Sequence, residues 1–206
     1  MARSRSRRDA NLRRRIAYIA ARMMAEDGVA DYGAAKMKAA RQEGLADANL
    51  LPDNQEIEEA LREYQGLYQS EEQPVLLRHL REVAVRVMRE LDAFRPVLVG
   101  SVLSGTAGQH SDVNLQVFAD DSKALAMFLV NKRYRFEEGS KRLRRGDRHE
   151  DVAQYSLDIE DVTVTLTVLD PGDERSAPRI RDETLPPVRA RLAEVEAMLA
   201  PGAKMP

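Results

Sequence analysis

The sequence predicts an α+β fold: a helical N-terminal region, then a mixed β-sheet domain, then a C-terminal helix. Apolar residues recur at helical spacing as far as Leu91. At Arg95-Pro96 the period changes from helical to two, and alternating runs continue to Leu169. Helical spacing returns after Pro187.

Each element has its own signal. Leu12, Ile16, Ile19 and Met23 share one helical face, and Gly28 sits where a left-handed cap ends such a helix. A short helix from Asp31, as N-cap, to Gly44 carries a small-residue face of Ala34, Ala35, Ala39 and Ala40 with Met37. Asp53 and Glu56 have capping-box spacing at the start of a third helix, whose stripe is Ile57, Leu61, Tyr64 and Tyr68 or Leu67. Pro74 opens a fourth, with Leu77, Leu80, Val87 and Leu91. The predicted strands are Val97–Val99, Val113–Ala119, Arg133–Glu138, Ala153–Ile159 and Val162–Leu169, with a helix over Ser122–Lys132. Glu160-Asp161 reads as a hairpin turn. A final helix starts near Pro187 and carries Val188, Leu192, Val195 and Leu199. The implied division is a basic disordered tail over 1–10, a helical region over 11–94, a sheet domain over 95–182, and a C-terminal helix and tail over 183–206.

Composition narrows the chemistry. With 206 residues, 43% hydrophobic and 32% charged, the chain reads as globular and able to bury a core. Cysteine is absent, which excludes disulfides, thiolate metal sites and cysteine nucleophiles. His79, His110 and His149 are too scattered to suggest a zinc site. No apolar run approaches the roughly 20 residues of a membrane span, and the basic N-terminus leads into an amphipathic helix. The expectation is therefore a cytoplasmic protein without a membrane partner, of a size that suits a bacterial one.

The net charge of −2 conceals segregation. Seven arginines crowd the first fifteen residues, and a second basic run is Lys141-Arg142-Leu143-Arg144-Arg145 with Arg148. The first reads either as a nucleic-acid contact or as a solubilising tail. The second reads either as a guide for an anionic ligand, through Arg144 and Arg145, or as a solvated hairpin tip. The alanine-rich helix after Asp31 has the outline of a helix-turn-helix, but its small residues suit packing better.

The most specific stretch is Gly100-Ser101, a variable turn, then Ser111-Asp112-Val113-Asn114-Leu115. Val113, Leu115 and Val117 alternate toward a core, so Asp112, Asn114 and Gln116 share the opposite face. Small residues before such a strand can hold phosphate oxygens while oxygen ligands on it hold a divalent cation. A relay built from Ser101, His110 and Asp112 is excluded, because residues so close on one turn cannot take the required geometry.

This stretch resembles the signature of the DNA polymerase β-like nucleotidyltransferase superfamily: Gly-Ser or Gly-Gly, then Asp-x-Asp or Asp-x-Glu between apolar residues. The resemblance covers roughly residues 84 to 170. It implies a twisted mixed sheet, a nucleoside triphosphate held by Gly100, Ser101 and Ser111, and Mg²⁺ bound by Asp112. It also implies nucleoside monophosphate transfer with Asp112 and Asn114 at the catalytic positions. Two departures stand out. Asn114 replaces the second carboxylate, and the later strand offers Thr163, Thr165 and Thr167 where a third acid belongs. Asp158 and Glu160 are the remaining acids able to substitute. The expected Mg²⁺ site is accordingly weak or absent, and transfer activity weak or lost. The alternative is a non-catalytic module that retains the fold and binds nucleic acid or a protein, and the apolar stripes of the helical half are compatible with a homodimer.

Overall fold

The computed structural model describes residues 2–29, 31–44, 50–145, 148–174 and 189–200, with the side chains of 2–8, 144, 145 and 148 excepted. Contacts divide the chain into two units, residues 1–74 with 106–110, and residues 75–105 with 111–206.

The helical unit is built from α1 (Ala2–Glu26), α2 (Tyr32–Gln42) and α3 (Asn54–Tyr68). Helix α1 takes in residues 2–10, where a disordered tail is expected from composition. The core is small-residue packing: Ile16, Ala17 and Ala20 of α1 meet Ala35, Ala39 and Ala40 of α2 and Ile57 of α3. Ala34 and Met37, expected on that face, are exposed instead, as are Leu67 and Tyr68 at the end of the expected α3 stripe. Asp31 caps α2 by accepting from the Ala34 amide at 2.7 Å. Asp53 and Glu56 close the capping box of α3, with both bonds at 2.8 Å. Gly28 has φ +69°, and a Cβ there would come within 2.8 Å of the His110 ring. Glycine is thus required at this position on two counts. His110, though exposed, stands against the cap of α1.

The sheet unit takes all but the first three residues of α4 (Glu72–Glu90), a helix that starts two residues before Pro74. A proline in the first helical turn gives up no intrahelical bond. Then follow β1 (Val97–Val99), α5 (Ser101–Ser104), β2 (Val113–Phe118), α6 (Ser122–Asn131), β3 (Phe136–Arg145), β4 (Arg148–Ile159), β5 (Val162–Leu169), β6 (Ala190–Arg191) and α7 (Leu192–Met198). The six strands form one sheet in the order β3-β4-β5-β2-β1-β6. Only β2 and β5 pair in parallel, so the sheet is mixed as expected. Strands β1 and β2 are antiparallel neighbours, with Val99 opposite Asn114.

Several elements differ from expectation. Arg133 starts no strand: at φ +62° it ends α6 in the left-handed region, and the Tyr134 amide bonds back to Leu129. The run Lys141–Arg145 is the turn end of the β3–β4 hairpin and is strand throughout, pairing residue for residue with Arg148–Val152. Leu143 explains this: it alternates with the charged positions and is buried with Val97, Phe118, Val152 and Leu169. The C-terminal helix starts at Leu192, not near Pro187, and is preceded by β6, which covers the outer edge of β1. Pro187 and Val188 lie outside the described residues. Glu160 and Asp161 make the hairpin turn as expected, both with positive φ.

Leu98, Val113, Leu115, Val117, Val164 and Leu166 are all fully buried on one face of the sheet. The Tyr155 hydroxyl, from β4 on that face, donates to the Ser122 carbonyl at the start of α6. The other face carries the polar residues that matter for chemistry.

Candidate functional site

The register assembles the candidate site row by row. Asn114 of β2 stands between Val99 of β1 and Thr165 of β5, and Thr165 faces Ser156 of β4. In the next row Gln116 stands beside Thr167, which faces Gln154. The Gln154 amide reaches the Thr167 hydroxyl at 3.4 Å. Val113 pairs with Val164, so continuing the register by one residue sets Asp112 opposite Thr163. Thr163 in turn pairs with Asp158 of β4. One sheet face therefore presents two carboxylates, an asparagine and three threonines, with no cation on those three strand segments.

The turn leading into this face is held from below. Gly100 has φ +79° and ψ −158°, a backbone that side chains with a Cβ strongly disfavour. Its Cα faces Asn114, whose Nδ2 would lie 3.7 Å from an added Cβ. Helix α5 then makes a single turn, Ser101–Ser104, where the sequence suggested only a small-residue bend. Arg81 of α4 fixes it. This guanidinium is 1% exposed, and it donates from Nε to the Val102 carbonyl at 3.1 Å and from Nη2 to the Leu103 carbonyl at 3.3 Å. Burial lowers the Arg81 pKa below its ordinary value. Sequence reasoning missed Arg81, because an arginine on a helix reads as solvent-facing until its non-local acceptors are known.

The two acids that survive the departures come together. Asp112 is exposed, yet partial desolvation and then the charge of Asp158 raise its carboxyl pKa above the usual value. Asp158 accepts a 3.3 Å bond from the Thr163 hydroxyl, which lies between them. Asn114 donates through Nδ2 to the Asp112 carbonyl at 3.2 Å, so its Oδ1 is the atom left for a ligand. The other substitute, Glu160, is engaged elsewhere: Arg86 of α4 grips both its oxygens, at 2.5 and 2.8 Å, and holds its pKa below the ordinary range. Glu160 is thereby removed from the candidate set.

Gly100, Ser101, Ser111, Asp112 and Asn114 all belong to the sheet unit and adjoin β1 and β2. Arg144 and Arg145 end β3, opposite His149 and Arg148, with side chains outside the described residues. Their neighbour Lys141 is half-buried, and desolvation lowers its pKa. Lys141 itself is thus a cation set into the sheet, while Arg144 and Arg145 lie at the end of the hairpin.

The Asp112 shift carries a pH prediction. Its folded pKa lies above the ordinary aspartate value, so its contribution to stability is fully present below that value and is lost as pH rises through the folded pKa. Asp112→Asn is therefore expected to raise the apo melting temperature at neutral pH and to leave it unchanged in strong acid. Thermal melts across pH test this; a destabilised Asp112→Asn at neutral pH would contradict the repulsion between Asp112 and Asp158.

Among the described residues no cluster of three or more acidic or histidine side chains is placed to hold a metal, and no helix is long and apolar enough to cross a membrane. No family model and no curated protein matches the chain. Among solved structures it is similar to the Cid1 poly(U) polymerase in its MgGTP-bound form, at 20% identity over 45% of this chain and 32% of that one, with a TM-score of 0.31. It is also similar to a cytoplasmic RNA terminal U-transferase, at 24% identity over 42% and 27% of the two chains, with a TM-score of 0.28. The chain thus spans under a third of either protein. At those scores the likeness carries no argument about activity.

Proposed function

We propose that the sheet unit is a nucleotidyltransferase-like domain that binds a nucleoside triphosphate or another phosphorylated ligand on the polar face of its sheet, with a weakly held divalent cation. The observation that carries this reading is the approach of Asp112 and Asp158 beside the Gly100-Ser101 turn, with no cation on the β2, β4 and β5 segments that carry this row. The donor set fits Mg²⁺: two carboxylates, the Asn114 amide oxygen and threonine hydroxyls are hard oxygen ligands. A cation bound there would relieve the Asp112–Asp158 repulsion and neutralise phosphate charge.

This chain's own residues would do the positioning. Gly100 lets the backbone approach a phosphate closely, and the Ser101 and Ser111 hydroxyls and amides supply donors. Arg81 holds the α5 carbonyls so that this turn does not move when a ligand loads it. Asn114 orients a ligand without adding charge, so cation affinity and nucleotidyl transfer are both expected to be low. Arg144 and Arg145 remain proposed ligand contacts.

A second reading is favoured by Thr165, which stands beside Asn114 where a third carboxylate would complete the site. On that reading the domain is a non-catalytic module for nucleic acid or a protein partner, including a second copy of the chain. Calorimetric titration of nucleoside triphosphates with and without Mg²⁺ and Mn²⁺ separates the two. Metal-dependent binding supports the proposed function. Absence of nucleotide binding in any metal, with retained binding of RNA or DNA, supports the module.

A further inference from the structure

The same sheet face holds a second polar feature, away from Asp112. Arg189, just before β6, lays its guanidinium over the Phe118 ring, with Cζ 5.6 Å from the centroid. Its Nη1 donates to the carbonyls of Asp173 at 2.8 Å and Glu174 at 3.3 Å. Nε and Nη2 are buried and have no acceptor. Those two N–H groups form the side-on edge of the guanidinium, parallel donors spaced for two oxygens of one oxyanion. The Glu174 carboxylate does not fill them, being already bridged by Arg95 at 2.6 Å and Arg191 at 3.3 Å, and no other acceptor bonds them.

An orphaned acceptor accompanies the orphaned donors. Gln116 is 3% exposed, and its Oε1 is buried without a partner. It stands beside Val97, whose other neighbour is Arg191, two residues from Arg189. Buried polar atoms in folded proteins are almost always satisfied. Here every side-chain atom that is buried without a partner belongs to these two residues, among the described ones. Burial lowers the Arg189 pKa, while Asp173 and Glu174 oppose that shift. The group is a desolvated cation, and its attraction for an anion is stronger here than at an exposed surface.

We propose that Arg189 and Gln116 form an oxyanion subsite that takes a phosphoryl group carrying a hydroxyl. The fork of Arg189 holds two phosphoryl oxygens, and the phosphoryl O–H donates to Gln116 Oε1. The identity of the oxyanion rests on the proposed phosphorylated-ligand function; its location rests on the orphaned atoms alone.

Inorganic phosphate and sulfate test the subsite in the full-length chain without metal. Phosphate retains an O–H at neutral pH and sulfate does not, so phosphate should bind at least about tenfold tighter. Gln116→Leu removes a buried orphan and should fold normally, abolishing that discrimination. Arg189→Lys keeps the charge but loses the fork, and should weaken phosphate about tenfold or more. Asp112→Asn should leave phosphate binding intact while weakening metal-dependent nucleotide binding about tenfold or more. If phosphate fails to bind wild type, or binds both Gln116→Leu and Arg189→Lys as tightly as wild type, the subsite is overturned even where metal-dependent nucleotide binding persists. Phosphate binding that depends on these residues, with no nucleotide binding, sustains the subsite and overturns only the nucleotide.

Discussion

Arg81→Ala is expected to destabilise the chain by about 3–5 kcal/mol, combining two buried carbonyls left without donors with the cavity of a lost long side chain. No exposed arginine of the chain should approach that figure. Arg78 and Arg62, which make i,i+4 pairs on helix surfaces, should each cost at most about 0.5 kcal/mol when replaced. Arg81→Met separates the two parts of the larger loss. It keeps most of the packing volume and loses the bonds to Val102 and Leu103, so it should recover roughly half of the stability. Urea unfolding followed by circular dichroism reads the midpoint shift. Amide exchange at Ser104 and Gly105, which bond to the Gly100 and Ser101 carbonyls, should accelerate about tenfold or more if Arg81 holds the α5 turn. A neutral Arg81→Ala would mean that another group holds α5 in place.

Asn114→Asp together with Thr165→Asp is expected to act in opposite directions on the apo and cation-bound states. Both positions face the row that contains Asp112 and Asp158, and Thr165 is only 7% exposed. In the apo chain four carboxylates would crowd one face, raising one another's pKa. Such acids stabilise the fold while protonated and lose that contribution as pH rises, so the double variant should melt well below wild type at neutral pH and close to it in acid. With Mn²⁺ the order should reverse. Against a divalent cation each added charge is worth an upper figure of about 8 kcal/mol at 4 Å and an effective dielectric of 20. A realised gain of at least about tenfold in cation affinity is expected. The single variant Asn114→Asp should show the same signs at smaller amplitude, since it keeps the shape of the side chain.

How much of this was legible from residues varies with how local the cause is. The Asp53–Glu56 capping box, the Asp31 cap and the Glu160-Asp161 turn depend on neighbours a few residues away, and each formed as read. The adjacency of Val97–Val99 and Val113–Phe118 followed from the alternation on either side of a short turn. Strand β6 escaped because two residues are too few to show a period, and its formation depends on the free edge of β1. The turn end of the long β3–β4 hairpin escaped because charged residues mask Leu143 and Val152, which anchor it to the core.

The candidate site divides in the same way. Asp112 and Asn114 sharing a face was readable from a period of two. The choice between Asp158 and Glu160 was not, because it turns on the chain reversal between them: Asp158 stays in the sheet row of Thr163, whereas Glu160 falls at the turn and is captured by Arg86. Arg81 and Arg189 were illegible for a different reason. Their burial is set by backbone carbonyls distant in sequence, and nothing in their flanking residues marks it.

The central claim is that Asp112 and Asp158 act together as the cation ligands of the sheet's polar face. Mn²⁺ titration followed by electron paramagnetic resonance measures it directly, in wild type, Asp112→Asn, Asp158→Asn and Glu160→Gln at neutral pH. Wild type should bind one Mn²⁺ weakly, Asp112→Asn and Asp158→Asn should each weaken it about tenfold or more, and Glu160→Gln should match wild type. An Asp158→Asn variant that binds Mn²⁺ as wild type does would contradict the claim.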